Sequence, residues 1–507
     1  MMGSKQQRQG QLFYTGLSLD DRIADDDPLR RIREVLDFSF VRPAVAHVYG
    51  ATGNPSVDPI VLLKLMLIFF LENVSSERKL MARLPSRLDW LWFCEYDFDS
   101  DLPNHSVLSK ARRRWGPALF RELFERILIQ CVEAGLVDGE VMHIDSSLIH
   151  ADAAIETLRP AFDLLADATY QKMEAACDAP ADTAESESAG EDDSSDGNAS
   201  DKRLPDPGEE DEPIASNDPM ARRGSKLSET DLDARARIKG SQKVFGYQEH
   251  RCTDDAHGII TATETTDAAV HEGDVLEAML DRHEQAVGQR PEHVAADKAY
   301  GRMENYVMLK ERGILPCVPH PDHSRKRKGK LSRDDFTYDR QRDCYLCPGG
   351  QTLTRQTVHP DKAGRSHSYK TGRGVCQRCP LRGKCYDGKY EKRIRRHADQ
   401  DVMDWADECL PRRQRRHLTG RRRAVAEGSF ADAANNHGYK RARWRRRWRV
   451  EIQNLLIASL QNLRKLISAS NRPKPRKALS AAIFAALAAS ITPWHALNAF
   501  DSPSELA

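Results

Sequence analysis

Apolar and polar positions alternate at helical spacing through residues 20–135. Segment 59–71 (PIVLLKLMLIFFL) predicts a strong apolar helix, opened by Asp58 as cap and Pro59 in the first turn. Ser75 or Ser76 can cap a second helix running to residue 84. Asn104 can cap a third that carries Ser106, Ser109, Arg112, Arg113 and Arg114, and Pro117 begins another. Two short helices ahead of a basic one match a helix-turn-helix DNA reader with Arg112 and Arg113 as contacts. A plain helical bundle with a solvated basic face accounts for the pattern equally well. Past residue 138 the spacing becomes that of strands: VMHID at 141–145 ends on a carboxylate, and 243–247 and 259–265 follow as strands. A helix at 275–287 leads to HVAAD at 293–297, again ending on a carboxylate, then a helix at 301–312 and a strand at 314–318.

That succession is the order of a ribonuclease-H-like core. The expected fold class is α/β: a ribonuclease-H-like mixed-sheet catalytic core interrupted by an insertion and preceded by an all-α N-terminal domain. The boundaries read as 15–135 for the helical domain, 138–320 for the first part of the core, 325–400 for an insertion, 410–470 for the final core helices and 471–507 for an Ala-rich tail. Residues 178–213 hold 14 Asp/Glu against Lys202 and Arg203, too little apolar surface to offset ordering entropy, so an acidic disordered insert is expected at about 165–232.

Composition adds little until it is localised. The 507 residues carry 77 Lys+Arg against 76 Asp+Glu, so no bulk charge selects a partner. The segregated charge does: 14 Lys/Arg stand between Arg412 and Arg449 against Glu427 and Asp432. The longest apolar run, 59–71, is shorter than the ~20 residues a bilayer requires, and the N-terminus shows no signal peptide. No membrane association is expected. Five of eleven cysteines fall between Cys344 and Cys385, which suggests metal binding in a reducing cytosol.

Two-metal phosphoryl transfer needs carboxylates from separate elements converging on one point, and strand ends hold such side chains rigidly. Asp145 and Asp297 both stand where an apolar strand stops. A third acid is expected from a later helix: Glu427 shares a helical face with Phe430 and Ala434, which points it toward packed protein. Asp334 and Asp335 are nearer to Asp297 but follow a basic loop, and are set aside. His143 shares the strand face of Asp145 and reads as a packed histidine; His150 and Asp152 follow without an assigned role.

The stretches HIDSSLIHADAA, VAADKAYG, CYLCPGG with CQRCPLRGKC, and RRRAVAEGSFADAANNHGYKRARWRRRWRVEIQNLLIASLQNLRKL, together with SVDPIVLLKLMLIFFL and LPNHSVLSKARRRW, resemble the DDE transposases of bacterial insertion sequences. The resemblance is to the group with a long insertion before the catalytic Glu, and it covers about residues 15–160 and 230–470. It implies Asp145, Asp297 and Glu427 as catalytic acids that hold two Mg²⁺ ions, with Mn²⁺ as a substitute. It also implies an Arg four residues before the glutamate, matched by Arg423. A Tyr three residues further upstream is replaced here by Gly420, and the Lys or Arg usual seven residues after the glutamate is replaced by Ala434. Synapsis of two DNA ends implies a homodimer or higher oligomer, bound to double-stranded terminal repeats and target DNA in the cytoplasm.

Cys344, Cys347, Cys376 and Cys379 form two CxxC pairs separated by 28 residues, the spacing of a structural Zn²⁺ site. Cys385 is an alternative ligand, His367 a weaker one, and free cysteines are the other reading. Lys440, Arg441 and Arg443 interleave with Trp444 and Trp448, and with Arg421 and Arg423 make up the expected phosphate-contacting set. The tryptophans continue an apolar stripe through Ile452, Leu456 and Leu463 and are expected in the core.

The expected function is a DNA transposase that cuts element ends and joins the 3′-OH to target DNA. The alternatives are a catalytically impaired, transposase-derived DNA-binding protein, kept open by Gly420 and Ala434, and a zinc-ribbon interaction protein.

Overall fold

In the computed structural model the described residues are 1–3, 18–52, 54–153, 158–160, 226–239, 242–319, 330–356, 366–386 and 388–470. The basic loop at 325–329, the acidic stretch at 178–213 and the tail at 471–507 lie outside them.

Among the described residues seven α-helices come first: α1 (Pro28–Val35), α2 (Val41–Val45), α3 (Pro59–Leu71), α4 (Glu77–Arg83), α5 (Leu88–Phe93), α6 (Ser106–Trp115) and α7 (Ala118–Glu133). Helix α3 starts where the sequence indicates: Asp58 accepts from the Ile60 amide and Pro59 fills the first turn. It is buried on nearly every side, and its Lys64 survives there because Nζ reaches Glu95 at 2.7 Å. Ser76 caps α4 by accepting from Lys79 N.

The chain then enters a six-stranded sheet. Its strands are β1 (Val141–His150), β4 (Arg235–Lys239), β5 (Gln242–Asp254), β6 (Ile260–Asp267), β7 (His293–Ala295) and β8 (Leu315–Cys317). The short pair β2 (Leu158–Pro160) and β3 (Lys226–Ser228) stands apart from it. The order is β6-β5-β1-β7-β8, with the β5 pairings antiparallel and β1-β7-β8 parallel, the ribonuclease-H-like arrangement of a mixed sheet. Strand β4 extends β5 as a hairpin on the β6 side.

Helices α8 (Leu276–Val287) and α9 (Met303–Glu311) cover one face through Met142, Ile144, Cys252 and Ala262. The other face meets the long C-terminal helix, whose Leu456 and Leu460 join the core of the N-terminal helices.

Three expectations about extent are corrected. β1 does not stop at Asp145: residues 146–150 continue it because they pair with 246–250 of β5, so Asp145 sits mid-strand opposite Arg251. β4 had no counterpart in the sequence reading; its RARIK does alternate, but Ile238 is 73% exposed and pairing with β5, not apolar burial, makes the strand. Residues 226–228, placed within the expected disordered insert, form β3 against β2.

Residues 337–397 build a second, antiparallel sheet of β9 (Thr337–Asp339), β10 (Cys344–Leu346), β11 (Thr352–Arg355), β12 (Ser366–Lys370) and β13 (Arg393–His397). The one-turn helix α10 (Arg382–Cys385) lies between β12 and β13. Tyr369 packs edge to face on both Tyr338 and Tyr345, whose own rings are tilted at 48°. The chain returns through α11 (Gln400–Glu408) and α12 (Arg412–Arg422), a π-helical turn at Arg423–Glu427, α13 (Gly428–His437) and α14 (Arg447–Ser470). Among the described residues no helix is long and apolar enough to cross a membrane.

Candidate active site

Asp145 is held from two sides. Its Oδ1 accepts from the Ser146 amide at 2.8 Å and its Oδ2 from Arg422 Nη1 at 2.8 Å. The same guanidinium donates through Nη2 to Glu427 Oε1 at 2.9 Å, so one cation bridges two carboxylates far apart in sequence. Burial pushes the Asp145 carboxyl up to about 6; Arg422 and the Ser146 amide oppose it, and the charges of Asp297 and Glu427 add to it. Those last two contributions place Asp297 and Glu427 each within electrostatic reach of Asp145. Asp297 follows β7 directly and caps the next turn, accepting from Ala299 N at 2.8 Å.

The π-helical turn explains which arginine does this. Residues five apart share a side in an i→i+5 turn, whereas the ordinary helix aligns residues three or four apart. Arg422, five before Glu427, is therefore turned inward, and Arg423, expected from the resemblance, is exposed. Glu427 also departs from expectation. Its side chain is 51% exposed and paired with Arg422 rather than turned into packed protein.

The ground beneath Glu427 is rigid. Glu249 and Arg251 of β5 are fully buried and paired at 2.7 and 3.1 Å. Thr263 donates to Glu249 at 2.7 Å, and Gln461 accepts from Arg251 at 2.9 Å while donating to the Ser429 carbonyl at 2.8 Å. The Arg251 guanidinium lies 4.6 Å from the Phe430 ring centroid. This network ties α13, the helix just after Glu427, to the strand opposite Asp145.

A second carboxylate that the sequence reading missed stands nearby. Glu272 is buried, takes Arg237 at 2.5 Å and lies 3.4 Å from Ser146 Oγ. Burial alone would raise it, but Arg237 pulls it down to about 2. No sequence signal marks it, since it opens a short 3-10 turn five residues past the end of β6 rather than ending a strand.

The remaining expected residues divide. Arg112 is corrected: it is 3% exposed, paired with Glu77 and stacked 3.9 Å over Trp444, because the indole and carboxylate draw it inward, so it is not offered to DNA. Arg113 stays half-buried. Arg421 is tied to Asp255 at 2.8 Å, which His143 also meets at 2.7 Å; burial lowers the His143 pKa, in keeping with a packed histidine. Lys440 reaches Ser147 Oγ at 2.6 Å, two residues along β1 from Asp145. Arg441 is largely exposed and pairs with Asp152 at 3.4 Å, while Arg443 turns back to Asn73 at 2.6 Å. Trp444 stacks on Phe69 and Trp448 packs against the N-terminal core, as the apolar stripe indicates.

Of the cysteines, Cys347, Cys376, Cys379 and Cys385 line one small cavity, and Cys344 does not. His367 meets Arg355 instead. Among the described residues, no three His, Cys, Asp or Glu side chains stand in metal-holding geometry.

Residues 17–114 match the transposase domain family DUF772, and residues 346–467 match the transposase DDE domain family, a span that contains Glu427. No curated protein matches the chain. Among solved structures, a piggyBac transposase synaptic complex with hairpin DNA is similar at a TM-score of 0.36 and 11% identity, covering 91% of this chain and 79% of that one. The chain thus carries a transposase domain toward its N-terminal end and a DDE transposase domain toward its C-terminal end, which supports a DDE-type transposase.

Proposed function

We infer that this transposase cuts the ends of its element and joins the freed 3′-OH to target DNA by two-metal phosphoryl transfer. The observation that carries the reading is the Arg422 bridge: Asp145 and Glu427, 282 residues apart, converge on one cation beside Asp297. Asp145, Asp297 and Glu427 carry hard oxygen donors, the ligand type Mg²⁺ and Mn²⁺ take, and would have to draw together from their described positions to hold an ion. Asp145 and Asp297 would hold the ions, Asp145 serving both, and Glu427 would complete the second position. Bound there, two divalent ions activate the attacking oxygen and stabilise the leaving one.

The chain's own part is positioning. The Ser146 amide fixes one Asp145 oxygen and leaves the other to Arg422 or to an ion. Arg422 stabilises the acids when no ion is present and must swing away when one is. Lys440, beside Asp145 on β1, supplies near the scissile phosphate the cation that Ala434 lacks. Arg441 and Arg445, both beside Asp152, extend the basic edge along which the duplex backbone would run. Holding two ends at once requires at least a dimer.

The test is a cutting assay on DNA carrying the sequences that flank the gene. Nicked and joined products in Mg²⁺, absent in EDTA, are expected. Tight binding with no cutting in Mg²⁺ or Mn²⁺ would instead establish the binding-only descendant that Gly420 and Ala434 suggest.

A further inference from the structure

The cavity in the inserted sheet has no part in the catalytic reading, and four cysteines share its lining. Cys347, Cys376, Cys379 and Cys385 surround a space of about 30 Å³, room for one ion or water and nothing larger. Phe336, Leu353 and Val375 share the lining with Gln351, Thr371 and Tyr386, and Thr371 Oγ1 lies 3.3 Å from Cys376 Sγ. The first two-residue knuckle has the turn that presents a sulfur. Gly350, at φ +75°, returns its amide to the Cys347 carbonyl at 2.9 Å, and the Gln351 amide donates to Cys347 Sγ at 3.3 Å. Gly349 closes the gap, since a Cβ there would lie 3.4 Å from Cys379 Sγ and 3.6 Å from Cys347 Sγ. On the second knuckle the Arg382 amide donates to the Cys379 carbonyl at 3.0 Å, which starts the helical turn ending at Cys385.

Two cations face the same space. Lys392 is buried beside it, and Arg382 Nη1 is buried with no hydrogen-bond partner among the described residues. A neutral thiol leaves that N–H poorly satisfied, whereas a thiolate would accept it. Cys344 is different. It is 4% exposed on β10, next to Tyr345, and strand alternation sends it to the sheet face opposite the aromatic cluster.

We propose that Cys347, Cys376, Cys379 and Cys385 form a tetrahedral, structural zinc site that pins α10 to the β9–β13 sheet, with Cys344 outside it. The sulfurs do not stand at ligand distances among the described residues. Contraction onto an ion at about 2.3 Å needs side-chain rotation within a cavity of this size. Four thiolates around Zn²⁺ form a dianion, which Lys392 and Arg382 neutralise. The site gives a small, aromatic-centred sheet the cross-link that its limited core does not provide.

The test uses the full chain without DNA, so its failure leaves the carboxylate assignment untouched. Elemental analysis should find one zinc per chain in the wild type and in Cys344→Ser, and less than a tenth of that in Cys385→Ser. Should Cys385→Ser not fold, native alkylation of the wild type gives the same answer. Cys347, Cys376, Cys379 and Cys385 should be protected with zinc and become reactive together on chelation. Zinc kept by Cys385→Ser and lost by Cys344→Ser would overturn the assignment. So would a wild type that takes up no zinc and alkylates identically with and without chelator.

Discussion

At the scale of single residues, the site turns on how one arginine serves two acids. Removing Arg422 leaves Asp145 buried beside two other carboxylates. Arg422→Gln should therefore cost about 2 kcal/mol in EDTA, and Mg²⁺ should recover more melting temperature in this variant than in the wild type. Equal stabilisation of both proteins by Mg²⁺ would contradict that. Asp145 also gives a pH signature. Its folded pKa, near 6, lies above the ordinary carboxylate value, so the folded state holds its proton longer and stability falls as pH rises from about 4 to about 6. In EDTA, Asp145→Asn should be more stable than the wild type above pH 6, and denaturant titrations should show the advantage vanishing toward pH 4. Asp145 and Asp297 could be singled out in the sequence because an acid at the end of an apolar run is visible there, and Glu427 from its helical face and the resemblance. Arg422 and Glu272 could not: one depends on a π-helical turn that no periodicity reveals, the other on a short turn placed only by the fold.

Among the elements, the strand β5 and the helices α13 and α14 do the aligning. Breaking the Glu249–Arg251 pair by Arg251→Met leaves a buried, unpartnered charge and should cost about 3–5 kcal/mol; the double change Glu249→Leu with Arg251→Met should cost less. A double variant as destabilised as the sum of the singles would refute the coupling. The apolar helices and the strands 243–247, 259–265 and 314–318 could be read from pattern alone because burial there is one-sided or total. The extension of β1 to His150 could not, since SSLIH carries no clean alternation and becomes strand only because β5 offers it a partner. Arg112 shows the same limit: a basic helix looks solvated until Trp444, more than 300 residues later, packs against it.

For the whole molecule, the near-neutral net charge conceals a division between an acidic stretch and a basic C-terminal edge. Arg441→Ala with Arg445→Ala should weaken binding to any duplex and reduce the slope of log affinity against log salt by about 2, in fluorescence titrations from 50 to 200 mM salt. An unchanged slope would move the DNA path elsewhere. The central claim is that Asp145 and Glu427 act together on DNA. The most direct measurement compares wild type, Asp145→Ala and Glu427→Ala for Mg²⁺-dependent cutting of end-bearing DNA, with binding followed in parallel. The account predicts that both variants lose cutting by a thousandfold or more, on the order expected for removing a group that stabilises the transition state, while binding stays within about threefold, a difference under ~0.7 kcal/mol. Cutting retained by either variant at wild-type rate would contradict it.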